Sequence, residues 1–182
     1  SAEPVIFAAG LEALARNRVE AAPPGGGDVR AMVGCGAATG DTIVRIVDPE
    51  TLRPCGPDQV GEIWVSGPGV ATGYWNRPEE TAQTFGARLA DDGNRTYLRT
   101  GDLGFLRQGE LFIAGRLKDL IIIRGLNHHP TDIELTARRA HPAVAASIAA
   151  AFSIETSGEE RLVIAVEAGR HELENPEEVA RA

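Results

Sequence analysis

The sequence predicts an α+β protein in which a small sheet or distorted β-barrel precedes a smaller α+β unit. Between residues 31 and 115, short segments of alternating polarity are separated by turn signals, as in small sheets and barrels. Beyond residue 118, an apolar β-branched run is followed by a helical segment and two more strand-like segments. With 43% hydrophobic and 24% charged residues, the composition is that of a folded globular chain.

The N-terminal third predicts a helix, a connector and two strands. Residues 11–19 have a helical pattern, and the run PPGGG at 23–27 has the composition of a flexible connector. Residues 42–48 alternate in polarity and end at the turn DPET, 48–51. A second strand is predicted at 60–66, bounded by Gly61 and Gly67. These strands begin the predicted sheet.

A helix and then a hairpin are predicted in the middle of the chain. A helix is predicted to begin at Asn76, because the Asn side chain can accept hydrogen bonds from first-turn amides and Glu79 can reach back. We expect this helix to end near Phe85. Two strands and the turn between them are predicted at 96–99, 110–114 and 108–109. This first unit ends near Gly115.

The second unit begins with the apolar run at 120–123, which is typical of a buried strand. Thr131 and Glu134 form a capping-box pattern at the start of a helix that we expect to end near Ala140, before a proline. Further elements are strands at 146–152 and 162–167, a turn at 157–158, and a helix from Asn175 that the chain truncates.

Charge and composition exclude several classes of partner. The formal net charge of −8 argues against binding to nucleic acid, which needs clustered Lys and Arg. We expect neither membrane insertion nor secretion, and a cytoplasmic location, because no run suits a transmembrane helix or a signal peptide. Cys35 and Cys55 are therefore expected to be reduced thiols, and neither has a metal-ligand spacing, so no metal site is predicted.

Two short runs carry the most chemistry: LRTGDLG at 98–104 and AGRLKDL at 114–120. Asp102 could accept two hydrogen bonds from a ribose diol, and Arg116 could clamp a phosphate or ribose oxygen. Taken singly, Asp102 could equally close a turn, and Arg116 could be a solvated residue at a strand end. Their joint occurrence indicates a nucleotide site and ATP chemistry.

The chain resembles the adenylate-forming ligases, and among them the fatty acyl-AMP ligases. The resemblance is carried by the runs VGEIWVSGP (60–68), GYWNRPEET (73–81), TGDL (100–103), GRLKDLIIIRG (115–125) and NHHPTDIE (127–134). It implies that Asp102 binds the ribose hydroxyls of ATP and of the acyl-adenylate, and that Arg116 contacts the same nucleotide.

The resemblance also implies a domain organisation. Residues 1–115 would be the last subdomain of the large AMP-binding domain, and 119–182 would be part of a small, mobile α+β C-terminal domain. Residues 116–118 would be the hinge, centred on Lys118; they form a short charged connector without Gly or Pro, although a surface Lys is the plainer interpretation. Arg124 and Gly125 would line the path of the phosphopantetheine arm, although Gly125 could be a turn glycine only.

Two further features invite functional interpretations that their surroundings do not favour. His128 and His129 are adjacent and have no ligand partner at metal spacing, so they are expected to be polar loop residues before a helix. Trp75 follows Tyr74 without basic residues between them, so a packing role is favoured over a stacking platform.

The resemblance implies a parent enzyme and a missing remainder. The parent would join a fatty acid to ATP with Mg²⁺, giving acyl-AMP and pyrophosphate, and pass the acyl group to the phosphopantetheine of an acyl carrier protein. The chain has no hydroxyl-rich phosphate loop and no C-terminal catalytic Lys, so we expect a fragment that lacks the N-terminal part of the ligase and is inactive alone. The alternatives are a non-catalytic module that binds an adenylate or carrier protein, and a fragment of an acyl-CoA synthetase.

Overall fold

The computed structural model describes residues 3–22, 28–92, 94–156 and 159–167. The chain divides into two compact units, Ser1–Lys118 and Asp119–Ala182. The predicted connector at 23–27, the turn at 157–158 and the helix from Asn175 lie outside the described residues.

The first unit is built on an antiparallel sheet. Its elements are β1 (Ile6–Gly10), α1 (Leu11–Leu14), β2 (Val29–Val33), β3 (Ile43–Val47), β4 (Gly61–Ser66), α2 (Pro78–Phe85), β5 (Leu98–Arg107) and β6 (Glu110–Arg116). Strands β3, β4, β5 and β6 follow one another in a four-stranded antiparallel sheet, and β1 pairs with β2. Within the described ranges the sheet is open, so of the two predicted forms, a small sheet or a distorted barrel, the structure has the sheet.

Aromatic side chains form much of the interior of this unit. One buried hydrophobic cluster consists of Val47, Trp64, Leu89 and Tyr97. Phe105 and Phe112 lie opposite each other on β5 and β6, and their rings stack with centroids 5.1 Å apart. Phe7 meets the Phe105 ring edge-on at 5.8 Å. These cross-strand contacts hold β1 against the hairpin whose far end carries the candidate site.

Local signals predicted the central elements well. The strand predicted at 60–66 is β4, and the 42–48 strand is β3, which Asp48 closes by accepting from the amides of Glu50 and Thr51 at 2.9 and 2.8 Å. Gln108 and Gly109 form the predicted hairpin turn, with φ of 53° and 83°. Both angles are positive, as a type I′ turn requires.

The N-terminal segment differs from its prediction. The helix predicted at 11–19 is only the four residues of α1, and the chain leaves the helical path before Asn17, whose φ is 56°. The strands β1 and β2 were not predicted. They pair from Ile6 opposite Val33 to Gly10 opposite Val29, and their buried residues are Ala9 and Met32.

Helix α2 has the predicted extent but not the predicted cap. Its N-cap residue is Arg77, which makes no side-chain capping bond, and Asn76 has a left-handed φ of 55° that turns it away from that role. The helix entry is fixed instead by Thr81, whose hydroxyl accepts from the Tyr74 amide at 2.9 Å.

The second unit contains two hairpins and one helix. Its elements are β7 (Ile121–Ile123), β8 (Leu126–His128), α3 (Pro130–Ala140), β9 (Ala149–Thr156) and β10 (Glu159–Val166), with a short 3-10 turn at Pro142–Val144. Another 3-10 turn, Leu117–Asp119, includes the last two residues of the first unit and the first of the second. Strand β7 pairs with β8, and β9 pairs with β10. The predicted burial of 120–123 is only partly correct: Ile121 is buried, but Ile122 is half exposed because the short hairpin covers one face.

The predicted capping box of α3 is wrong. His129 is the N-cap, without a side-chain capping bond, and the Glu134 carboxylate accepts from the Ala151 amide of β9 at 3.1 Å. Glu134 therefore serves packing of the helix on the sheet rather than the helix terminus. No helix among the described residues is long and apolar enough to cross a membrane. Both cysteines are free thiols.

Candidate functional site

The sequence context of Asp102 suggested a turn, but Asp102 lies within strand β5. Strand β5 bulges at this point: Glu62 pairs with Leu103 and Trp64 with Arg99, so the single residue Ile63 of β4 faces 100–102 of β5. Gly101 lies in the bulge with a φ of 73°, a conformation that favours glycine. The bulge takes Asp102 out of the β4–β5 ladder, while Asp102 stays paired with β6 at the end of the hairpin.

Two side chains fix the backbone of this bulge. The Thr100 hydroxyl donates to the Ile63 carbonyl at 2.7 Å and accepts from the Asp102 amide at 3.0 Å. The Gly101 amide donates to a carboxylate oxygen of Glu62 at 3.2 Å. The Asp102 backbone is thereby tied to the neighbouring strand on both sides of the glycine.

Asp102 and Arg116 lie directly opposite each other on β5 and β6. Arg116 Nε donates to Asp102 Oδ1 at 2.9 Å, and the side chains are 52% and 35% exposed. Because an ion pair at this exposure adds little to stability, the arrangement is available to a ligand at low cost. The two residues that the sequence predicted for nucleotide binding are brought together.

The pair offers complementary groups to a ligand. Its hydrogen bond engages Oδ1 and Nε. Asp102 Oδ2 and the two terminal guanidinium nitrogens of Arg116 lie outside that bond, so the pair can accept from hydroxyls and donate to anionic oxygens at adjacent positions. A ribose phosphate carries both kinds of group within one small unit.

Lys118 lies in the 3-10 turn Leu117–Asp119 and is exposed. It is the last residue of the first compact unit. The turn follows Arg116 directly in the chain.

Arg124 and Gly125 form the two-residue turn of the β7–β8 hairpin. Their φ values are 53° and 76°, and both residues are exposed. Ile123 pairs with Leu126 across the turn, so the structure accounts for Gly125 as a turn glycine. The same geometry presents the Arg124 side chain to solvent.

The expectations for His129 and Trp75 are wrong. His129 is 4% exposed and begins α3, so it is an interior residue and not a polar loop residue, while His128 ends β8. Trp75 is 96% exposed rather than packed, because Tyr74 takes the place against Phe85, edge-on at 5.1 Å between centroids. The described residues contain no group of three or more His, Cys, Asp or Glu side chains placed to hold a metal ion.

Comparison with known proteins identifies the relatives of this chain. A family model described as AMP-binding enzyme matches residues 15–75. The medium-chain-fatty-acid–[acyl-carrier-protein] ligase JamA of Moorena producens is 53% identical over 167 residues, which are 91% of this chain. The resemblance to fatty acyl-AMP ligases is confirmed. The long-chain-fatty-acid–AMP ligase FadD23 of Mycobacterium tuberculosis is 46% identical over 69% of this chain.

A solved structure agrees with this relationship. The fatty acyl-adenylate ligase of L. pneumophila, in complex with acyl adenylate and pyrophosphate, is 42% identical over 92% of this chain, with a TM-score of 0.61. The matched portion is 29% of that protein, 28% of JamA and 21% of FadD23. This chain therefore spans between a fifth and a third of the length of these relatives.

Sequence reasoning missed Glu62 and Arg99, which surround the bulge. Glu62 is 1% exposed in the middle of an apolar strand, and Arg99 binds it from β5. A signal was present: a charged residue among GEIWVS requires a buried counter-charge. The neighbouring strand offers an arginine three residues before Asp102.

Proposed function

We propose that this chain is part of a longer ATP-dependent fatty acid–AMP ligase, in which Asp102 binds the ribose hydroxyls of the nucleotide and Arg116 contacts the same nucleotide. The observation that carries the proposal is the Asp102–Arg116 pair, 2.9 Å apart on a bulge fixed by the adjacent strand. The similarity to proteins named as fatty acid ligases supports the identity of the acid and of the adenylate product.

The proposed reaction has two steps. A fatty acid carboxylate attacks the α-phosphate of ATP, giving acyl-AMP and releasing pyrophosphate. The phosphopantetheine thiol of an acyl carrier protein then attacks the acyl carbonyl carbon and releases AMP. Mg²⁺ would accompany the ATP phosphates and screen their charge. Asp102 and Arg116 hold the nucleotide through both steps, which contributes positioning rather than bond making.

The unit boundary supports a mechanical role for residues 116–118. We infer that residues 1–115 belong to the large AMP-binding domain and residues 119–182 to the small C-terminal domain. Lys118 is then the hinge about which the small domain turns between the adenylation and acyl-transfer steps. The boundary after Lys118 and the short 3-10 turn support this division. Arg124 and Gly125, exposed on a tight turn, are proposed to face the phosphopantetheine arm.

The test compares Asp102→Ala with Asp58→Ala in the full-length ligase that contains this chain. Asp58 is a matched control, because it too is paired with an arginine of the β5–β6 hairpin: Arg107 donates to its Oδ1 at 3.1 Å. Losing charge-assisted bonds to the ribose should lower kcat/KM for fatty-acid-dependent pyrophosphate release about ten-fold or more in Asp102→Ala alone. The 182-residue chain alone should give no turnover.

Several outcomes would reject parts of the proposal. Unchanged kcat/KM in Asp102→Ala would reject the ribose assignment. Adenylate binding without pyrophosphate release by the full-length protein would favour a non-catalytic binding module. Acyl transfer to free coenzyme A rather than to a carrier protein would identify an acyl-CoA synthetase instead.

A further inference from the structure

We propose that Glu62 and Arg99 are positioning residues that hold the Asp102 carboxylate in place for the ribose. The inference rests on the proposed function and adds two residues that do not themselves touch the nucleotide. They act through the bulge at residues 100–102, which joins them to Asp102.

Glu62 is the most deeply buried charged residue among those described. Its side chain is 2% exposed, and its carboxylate accepts from Arg99 Nε at 2.9 Å and from Arg99 Nη2 at 2.7 Å. Its other oxygen accepts from the Gly101 amide at 3.2 Å. One carboxylate thus binds both the side chain of the residue before the bulge and the backbone within it.

The amide that Glu62 holds is the one that defines the bulge. Gly101 has a φ of 73°, so its N–H points away from the regular ladder and needs another acceptor. With that amide bound to β4 and the Asp102 amide bound to Thr100, the peptide groups leading into Asp102 have fixed orientations. The Asp102 side chain starts from a backbone that Glu62 determines.

Arg99 in turn fixes the Glu62 carboxylate. Its Nε and Nη2 both donate to Glu62 Oε2, Nε also donates to Oε1 at 3.2 Å, and its guanidinium carbon lies 5.5 Å from the centroid of the buried Trp64 ring. The two guanidinium donors and the ring restrict the rotation of the carboxylate, whose Oε1 accepts from both Arg99 Nε and the Gly101 amide. Lys would supply the charge without the fork.

Stability alone is a weak reason for this arrangement. Desolvation of a buried ion pair offsets much of its Coulomb attraction, and apolar residues of similar size are often as stabilising. The bond to Gly101 is the feature that an apolar pair could not supply. A carboxylate at 62 therefore fits a requirement for geometry at residue 102.

The principal test uses Glu62→Gln in the full-length ligase, with kcat/KM measured for ATP and for 2′-deoxy-ATP. The one side-chain oxygen of Gln would face the two Arg99 donors in place of Oε2, so its amide nitrogen would face the Gly101 N–H, which then loses its acceptor. We expect kcat/KM for ATP to fall about ten-fold, with a much smaller fall for 2′-deoxy-ATP, which lacks one of the hydroxyls that Asp102 binds. The ratio of the two values should approach one.

Glu110→Gln is the matched control, because the Glu110 carboxylate also accepts from a glycine amide, that of Gly36 at 2.6 Å. Its nucleotide ratio should remain that of the wild type. If Glu62→Gln lowers kcat/KM for both nucleotides equally, the residue has only a structural role and the inference is overturned. If Asp102→Ala itself leaves the ratio unchanged, it is the proposed function that fails.

A double variant and a second substitution make the test independent of folding yield. In an Asp102→Ala background, Glu62→Gln should cause no further loss for ATP, since it acts through Asp102. Arg99→Lys keeps the charge, and it should lower the ratio in the same direction if the fork matters. An additive double variant, or a wild-type ratio in Arg99→Lys, would contradict the corresponding part of the inference.

Amide hydrogen exchange tests the first link directly in the full-length ligase. The Gly101 amide should exchange at least ten times faster in Glu62→Gln than in the wild type, while the amides of the β5–β6 pairing keep their rates. Unchanged exchange at Gly101 would show that Glu62 does not hold the bulge.

Discussion

Two glycines in this molecule have nearly the same conformation and are held there by different means. Gly101, beside Asp102, has a φ of 73°, and Gly125, beside Arg124, has a φ of 76°. A Cβ added to either would meet nothing within 4 Å. Gly101 is bound by the Glu62 side chain from another strand, whereas Gly125 occupies a two-residue hairpin turn that backbone pairing closes.

The difference indicates what each region can position. A bulge tied by buried side chains presents Asp102 with little freedom, which suits recognition of a small rigid group such as a ribose. A turn closed only by its backbone fixes the chain path and leaves the exposed Arg124 side chain free to rotate. That freedom suits contact with a long flexible arm.

The largest expected stability effect lies beside the bulge, at Gly104. An added Cβ would collide with the Phe112 carbonyl and approach the Ile63 side chain to 2.7 Å. Gly104→Ala should lower the free energy of unfolding by about 2 kcal/mol, measured by urea denaturation. Gly69→Ala, where nothing lies within 4 Å, should be neutral. Equal stability of the two variants would mean that the bulge region is loosely packed.

Substitution of the two compared glycines should cost less and separate structure from function. Gly101→Ala and Gly125→Ala should each lose about 1 kcal/mol, because Ala is strained at positive φ and meets no other obstacle. Only Gly101→Ala should also lower discrimination between ATP and 2′-deoxy-ATP. A similar loss of discrimination in Gly125→Ala would remove the distinction between the two regions.

The sequence predicted those elements whose signals are local. The turn at Gln108-Gly109 needs a glycine at positive φ, and the turn after Asp48 needs a short acceptor; both signals lie within four residues. The joint presence of Asp102 and Arg116 was also sufficient to predict that they meet, because one hairpin joins their strands. Each of these contacts is short in sequence.

The features that escaped prediction depend on distant or competing contacts. Glu62 and Arg99 are 37 residues apart, so no local pattern joins them. The bulge lies where a turn was predicted. A glycine is a local turn signal, but the amide of Gly101 donates to Glu62 on β4, which no local pattern shows. Trp75 was expected to pack because no basic residues lie beside it, but Tyr74 makes the only described aromatic contact of that segment, with Phe85.

A third way of fixing a turn gives a pH-dependent effect that should be smaller than the glycine effects. Hydrogen bonds from the backbone, that of Thr51 first, lower the pKa of Asp48 below its usual 3.8. A carboxyl whose folded pKa is depressed stabilises the fold above the unfolded pKa and loses that contribution as pH falls through the folded pKa. The free energy of unfolding should therefore decrease as the pH falls below about 4. In Asp48→Asn, the urea midpoint should depend less on pH in this range. An identical profile in Asp48→Asn would rule out Asp48 as its source.

The smallest expected stability change is at Arg124, where it separates the turn from its proposed role. Asn is favoured before Gly in a turn with positive φ at both positions, so Arg124→Asn should stabilise the chain by about 0.5 kcal/mol. Gln108→Asn is its control, since Gln108 also precedes a glycine, at a φ of 53°. In the full-length ligase, Arg124→Asn should leave pyrophosphate release unchanged and slow acyl transfer to the carrier protein several-fold, because the guanidinium is lost while the backbone is kept. Gln108→Asn should gain the same stability and leave both steps unchanged. Wild-type acyl transfer in a stabilised Arg124→Asn would show that the β7–β8 turn is structural only, and that the phosphopantetheine arm takes a path without Arg124.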